Sequence, residues 1–415
     1  MCRLHLKEKP CKVDIICCTF ALGMLLTTAA LYIYYVMVYR QATEPVTKAF
    51  TTSTEAVLYD QEEQLSVLKH FEEMYGAMTR RIPEEDYGMV ILPGLDSTQT
   101  LKDNESGEIS ICTSMTPQGI CIAEEYILVS AYCHTHTHNS VIYVIDKNTG
   151  EFRKEIVLKD KNHVGGLAYD TKYHLVWVSS GQNDRASVSA FSLKNLKAYD
   201  LEKRKKPITY TYKYDLYTLE KDSFMTYADG YLYIGHFSMD ENSVVQKFQI
   251  GEHGGLKTQS GSSFGIDKRI AIPEDVKQIP NRIQGIAIYK DKVILTQSYG
   301  WTPSKLFVHN YSDFMHQTEK QYTINKISMP QKLEQIYIDG NDLYVLFESA
   351  AYAYRAQPLP KVDRICKLSL SDIIKSDMKD IESEEKNEKK AAEPIGQIIS
   401  ILSMRLIQAN IKQLI

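Results

Sequence analysis

PQGICIAEEYILVSAYCHTHTHNSVIYVIDKNTGEFRKEIVL, running from Pro117 to Leu158, reads as four short strands in succession: QGICIAE, YILVSAY, SVIYVID and EFRKEIVL. β-Branched and aromatic residues fill the strands. Acidic or Asn/Gly turns and the polar loop CHTHTHN separate them. A four-stranded antiparallel unit cannot bury both faces alone, so it asks for neighbours of its own kind.

Four further units follow. They begin at Gly165 (GGLAYDTKYHLVWVSS), Ser223 (SFMTYADGYLYIGHFS), Gln284 (QGIAIYKDKVILTQSY) and Glu334 (EQIYIDGNDLYVLFES). Counted from Gln118, the starts step by 47, 58, 61 and 50 residues. Each unit is a strand, a tight turn, a second strand, a loop and a third strand. EFRKEIVL, ITYTYKYDL, IDKRIAIPE and YTINKISMP supply a fourth strand to four of them. This period predicts an all-β chain folded as a five-bladed β-propeller of four-stranded antiparallel blades. An irregular all-β sandwich is the competing architecture. Blade five lacks a fourth strand of its own, because the chain turns charged after Leu370. EISICTS (Glu108–Ser114) is the expected closing strand, lent from upstream so that no sheet edge is left open. A sixth, degenerate blade built from residues 85–113 would overturn that closure.

The repeats resemble the YVTN-type β-propeller repeats and, more loosely, the NHL and regucalcin/gluconolactonase propellers. PQGICI, ILVSAY and SVIYVIDKNTGEFRKEIVL in blade one carry the likeness, with VGGLAYD and LVWVSS in blade two. It is good over roughly 75 residues and implies a fold and often an extracytoplasmic setting, but no activity.

Residues 1–14 carry Arg3, Lys7, Lys9 and Lys12 ahead of an uncharged apolar run, residues 15–39. Twenty-five residues rising about 1.5 Å each cross roughly 30 Å of hydrocarbon. The charge bias predicts a single-pass signal-anchor helix in the cell membrane, with a cytoplasmic N-terminus and an extracytoplasmic propeller. A cleaved signal peptide is the alternative, with TTAA at 27–30 as a mediocre cleavage site. Residues 40–85 form a stalk or docking segment. Within it, Ser53–Arg81 reads as a helix capped by Ser53, with Leu58, Leu65, Leu68, Phe71, Tyr75 and Met78 at helical spacing. The propeller occupies 86–371, a charged linker 372–394, and an amphipathic C-terminal helix 395–415.

A net charge of −4 gives no general pull toward nucleic acid. The expected partners are the membrane and an envelope glycan or protein, with no nucleic acid and no cofactor. The basic run Lys203–Lys206 reads as a solvated loop. Cys112, Cys121, Cys133 and Cys366 lie in the propeller and allow three pairings. The closure scheme favours Cys112 beside Cys366, with buried free thiols as the alternative.

In such a fold, the segments leading into the innermost strands and the loops after the second strands meet at one mouth. They bring together Gln118, His163, Ser223, His236, Gln284, Tyr299, Trp301, Glu334 and Tyr352. Of these, Gln118, His163, His236, Gln284, Tyr299, Trp301 and Glu334 are the binding candidates, and none is assigned a catalytic or metal role. Amide, imidazole and aromatic groups on a concavity suit a polar ligand such as a sugar or peptide. A wet pore whose groups satisfy one another is the bland reading.

His134, His136 and His138 alternate, so in an extended loop they share a face and two could ligate one metal ion. Gly261–Gly265 matches G-x-S-x-G, but in a loop between strands rather than at a strand-to-helix elbow. Asn104 and Asn310 head glycosylation sequons. The mouth offers few carboxylates, mainly Glu334 and Asp222, which ranks a ligand- or partner-binding module above a lactonase- or glycosidase-like hydrolase. Carboxylates clustered within about 6 Å at the mouth reverse that ranking.

Overall fold

A computed structural model of the chain describes residues 19–33, 51–75, 88–182, 185–239, 243–263, 266–316 and 323–375. Among them are five four-stranded antiparallel sheets. Blade one comprises Met115–Ala123, Tyr126–Cys133, Val141–Asp146 and Phe152–Val157, innermost strand first. Blade two comprises Leu167–Asp170, Leu175–Ser179, Ser187–Ser192 and Tyr212–Asp215. Blade three comprises Phe224–Ala228, Tyr231–His236, Ser243–Gln249 and Asp275–Ile279. Blade four comprises Ile283–Tyr289, Lys292–Gln297, Ser304–Asn310 and Thr323–Met329. Leu333–Asp339, Asp342–Phe347 and Arg364–Ser369 form blade five.

Met89–Ile91 closes blade five, pairing Met89 with Cys366, Val90 with Ile365 and Ile91 with Arg364. Velcro closure from the N-terminal side is present, but the strand differs from the expected EISICTS. Ile109–Cys112 instead pairs with Thr98–Leu101 in a hairpin. That partner sits just across the turn, so pairing costs far less loop entropy than reaching blade five. The polar lettering TQTL hid it from pattern reading. Residues 85–113 therefore supply a closing strand and a hairpin among the described residues, and no sixth sheet.

Blade three also departs from expectation. Its fourth strand is Asp275–Ile279, against Ser243–Lys247. Ile266–Ala271 folds back on Thr258–Ser263. Gly261–Ser263 thus lie within a strand that hairpins into another strand, so the G-x-S-x-G match is no nucleophile elbow.

The cysteine pairing is corrected as well. All four propeller cysteines are free and buried. Because Ile109–Cys112 belongs to the hairpin, Cys112 lies beside Cys133 rather than Cys366.

Apolar side chains fill the spaces between blades. Trp177 and Phe191 of blade two, Phe224 and Phe248 of blade three and Phe347 of blade five are at most 1% exposed. Each such side chain contributes about 1.5–3 kcal/mol on burial.

The upstream helix spans Gln61–Tyr75, and its cap is Asp60 rather than Ser53. Asp60 Oδ1 accepts from the Glu63 N–H at 2.8 Å, and Glu63 Oε2 accepts from the Asp60 N–H at 3.1 Å. This is a reciprocal capping box. Ser53 is occupied elsewhere, paired through its backbone with Gly94 and Ser97. The segment docks on the propeller: Leu68 is buried among residues of blades four and five, and Gln64 donates to the Lys361 carbonyl. Residues 76–81 of the expected helix lie outside the described residues.

Residues 19–33 are helical and exposed. No helix among the described residues is long and apolar enough to cross a membrane. The remainder of the expected 15–39 span, and the expected C-terminal helix 395–415, lie outside the described residues.

Candidate functional site

The innermost strands prepare the site through irregularities in pairing. In blade one the register shifts between Pro117 and Gly119, in blade four between Ile283 and Gly285, and in blade five between Leu333 and Ile336. The residues left over are Gln118, Gln284, and the pair Glu334–Gln335. A bulge of this kind re-aims a side chain out of the pleat. Sequence repetition thus places polar side chains at the inner end of three blades.

The residue after the bulge explains how closely the blades approach. A Cβ on Gly285 would lie 2.9 Å from Gln335 Cα, and one on Gly119 would lie 2.9 Å from Leu167 Cβ. Hydroxyls then tie neighbours together. Ser130 Oγ accepts from the Gly119 N–H at 3.0 Å and donates to the Val164 carbonyl at 2.7 Å. Thr296 Oγ1 donates to the Glu334 carbonyl at 3.0 Å. Where blades one, two and four carry Gly119, Gly166 and Gly285, blade five carries Gln335, which is fully buried. Its amide crosses the axis, accepting from the Leu167 N–H at 3.0 Å and donating to the Leu167 and Met225 carbonyls at 2.7 Å each. Gln335 joins blade five to blades two and three.

Beside this axial group opens a cavity of about 490 Å³, within the roughly 300–1,000 Å³ typical of small-molecule sites. His163, Gln284, Tyr299 and Glu334 line it, as does Ser223. Gln118 is not on its lining; its Nε2 donates to Glu348 Oε2 at 2.8 Å. His236 is off the lining too, its Nε2 3.9 Å from Glu220, a residue that does line it. Trp301 is 62% exposed and stays outside. Tyr352 begins the short helix Tyr352–Arg355, and Tyr354, two residues on, reaches the cavity in its place.

The unforeseen component is Glu348, which follows the second strand of blade five. Glu334 and Glu348 are 4% and 6% exposed; both line the cavity, and each carboxyl alters the other's affinity for a proton. Lys332 Nζ lies 3.7 Å from Glu348 Oε1 and 3.8 Å from the centre of the Tyr354 ring. Tyr354 lines the cavity beside them. Burial pushes the Glu348 carboxyl up to about 7, against the opposing pull of Lys332 and Gln118. Burial, and then the Glu348 charge, hold Glu334 well above the usual carboxylate range. Two adjacent buried carboxylates cannot both ionise cheaply, so the pair keeps a shared proton near neutrality. Glu334 is its natural holder.

Other titratable groups face the same space. Burial raises Asp222 to about 7, while its Oδ2 accepts from the Ser180 and Gly181 N–H groups at 2.8 and 2.9 Å. His163 packs on Tyr132, ring centres 4.3 Å apart, and still reaches solvent. Desolvation in the recess holds its imidazole below the usual range, with smaller contributions from His136, His134 and Lys221. Arg282 lies 5.1 Å from the Tyr299 ring centre. Among the described residues, no trio of His, Cys or carboxylate ligands converges in the cavity.

The alternating histidines do not share a face. His136 adopts φ 53°, which breaks the extended course of the loop. His134 turns toward Tyr132 and Tyr354, and His138 toward Cys133.

These features define the class: a β-propeller with a cavity at its mouth lined by two buried glutamates. No family model matches the chain, and no curated protein matches it in sequence. Similarity to solved structures is distant. A nidogen/laminin complex structure matches at 12% identity over 62% of this chain and 84% of that one, with TM-score 0.34. An exo-beta-1,3-galactanase from Phanerochaete chrysosporium matches at 11% identity over 68% and 64%, with TM-score 0.40. Hydrazine synthase from Kuenenia stuttgartiensis matches at 10% identity over 55% of each chain, with TM-score 0.29.

Proposed function

We propose that the protein is a membrane-tethered, extracytoplasmic propeller related to the YVTN type, whose mouth binds a polar ligand and hydrolyses an acyl bond in it. The observation that carries this reading is the Glu334–Glu348 pair. Carboxyl groups gathered at the mouth move hydrolysis ahead of passive recognition. The two carboxyls line one cavity and act on each other's ionisation, as in a dyad that shares one proton. In such a dyad the ionised Glu348 takes a proton from water as the water oxygen bonds to the carbonyl carbon. Glu334 gives its proton to the carbonyl oxygen; as the adduct collapses, Glu334 takes that proton back and Glu348 passes its own to the departing oxygen or nitrogen, which restores the dyad. With Glu348 raised to about 7 it is partly ionised at neutral pH while Glu334 keeps its proton, which suits the two roles. Gln284, Tyr299 and His163 would orient the substrate, which makes sugar lactones, acylated glycans and peptides the classes to try.

Tethering rests on the apolar run 15–39 and the basic residues before it. Passive binding is the second reading, and one observation favours it: Glu348 is engaged by Gln118, Lys332, Tyr354 and Glu334 together. A network this complete can serve simply to seat a ligand.

The test screens full-length protein against these substrates for turnover, and for thermal stabilisation, which reaches about 2.7 kcal/mol at a hundred times Kd. Turnover that Glu334→Gln abolishes without weakening binding supports hydrolysis. Binding without turnover leaves the passive reading. Neither binding nor turnover overturns both.

A further inference from the structure

Away from the mouth cavity, the hairpin Thr98–Leu101/Ile109–Cys112 meets the loop after Cys133. Cys112 Sγ, Cys133 Sγ and one His138 ring nitrogen lie within 4.8 Å of one another. We infer that Cys112, Cys133 and His138 form a zinc site that staples this hairpin to blade one. Two thiolates and an imidazole are the donor set that zinc prefers.

The geometry fits a metal better than a sulfur–sulfur bond. Cys133 Sγ is 3.6 Å from His138 Nδ1, about the separation that a tetrahedral centre with Zn–S near 2.3 Å and Zn–N near 2.0 Å imposes. The opposite ring nitrogen, Nε2, lies 3.2 Å from Ser110 Oγ. That contact can fix the ring with Nδ1 turned to the sulfurs, the outer support that metal-bound histidines use. A disulfide would need no such imidazole. The hydroxyls of Ser114, Thr135 and Thr137 lie 3.2–3.5 Å from Cys133 Sγ, and Thr137 Oγ1 is also 2.9 Å from His138 Nδ1. Hydroxyls gathered on a buried sulfur suit a thiolate. Three protein ligands leave the fourth position to a small molecule such as water. Cys121 and Cys366 have no comparable company among the described residues and serve as internal controls.

The staple would hold the wall beside the mouth, because His134 and His136 from the same loop surround Tyr132, which packs on His163.

The test loads reduced, detergent-solubilised full-length protein with Co²⁺ as a spectroscopic stand-in for zinc, then displaces it with Zn²⁺. The expected result is thiolate-to-cobalt charge-transfer absorption at one metal per chain, removed by Zn²⁺. Cys133→Ser and Cys112→Ser abolish it, and Cys366→Ser leaves it intact. His138→Ala, which keeps both thiols, shifts the spectrum and weakens binding, while Ser110→Ala weakens it about tenfold. Absence of charge transfer in folded, reduced protein overturns the proposal. So does a signal indifferent to His138→Ala. A Cys112–Cys133 disulfide in protein that takes up no metal after reduction also overturns it.

Discussion

Blade one and blade five share a four-stranded plan, but blade five buries far more charge. In blade one, every residue of Met115–Ala123 is buried and seven of the nine are apolar, and all four strands come from one continuous stretch. Blade five takes its outer strand from more than two hundred residues upstream and buries Glu334, Gln335, Glu348, Lys361, Asp363 and Arg364. The first blade is held mainly by transfer of apolar surface, which is nondirectional, although it too buries Gln118, Ser130 and Glu155. The fifth is held by directional polar contacts, which are costly whenever one partner is missing. Closure and chemistry are concentrated in the blade that local pattern describes least well.

Asp363 carries the heaviest load among the buried polar residues of blade five. Its carboxylate accepts from the Leu58 N–H at 3.0 Å and pairs with Arg364, which also donates to the Tyr59 carbonyl at 2.8 Å. Asp363→Ala strands a buried guanidinium and releases the upstream segment. Urea unfolding should show a loss of about 3–5 kcal/mol. Gln335→Leu comes next, because it leaves the Leu167 N–H and two carbonyls without partners across the axis. About 2–4 kcal/mol is expected from the same measurement. A loss under about 1 kcal/mol would mean that the axial amide is dispensable.

Glu334→Gln should act in the opposite direction. Carboxyl groups whose affinity for protons rises on folding hold more protons in the folded than in the unfolded state between about pH 4.5 and 7. Wild-type stability attributable to the pair therefore falls as pH rises through that window and goes on falling beyond it, because Glu334 holds its proton past the range of Glu348. Removing one carboxyl relieves the repulsion, so the variant gains about 1–2 kcal/mol at pH 8 and little at pH 4. Thermal melts at the two pH values check this. Trp301→Ala should change stability by less than about 0.5 kcal/mol, since the ring is exposed. A larger loss would give it a packing role.

The sequence shows blade one plainly because alternation and β-branched runs are local signals. It also shows the beat of the innermost strands, and with it Gln118, Gln284 and Glu334. The closing strand Met89–Ile91 was hidden because three apolar residues carry no usable period. Asp275–Ile279 was hidden because its alternation exposes every second position. Glu348 was missed for a different reason. It stands directly after a strand, fourteen residues from Glu334 along the chain, and only the antiparallel pairing of Leu333 with Phe347 brings the two together. Gln335 did leave a trace: it stands where three other blades carry glycine.

The most direct test is a carboxyl titration of the full-length protein labelled with ¹³C at glutamate side chains. One glutamate pair is expected in which Glu348 titrates near 7 and Glu334 keeps its proton beyond that, with the Glu348 signal altered and the Glu334 titration lost in Glu334→Gln. If every glutamate ionises close to pH 4.5 in folded protein, the pair at the mouth holds no proton, and the acid–base reading fails.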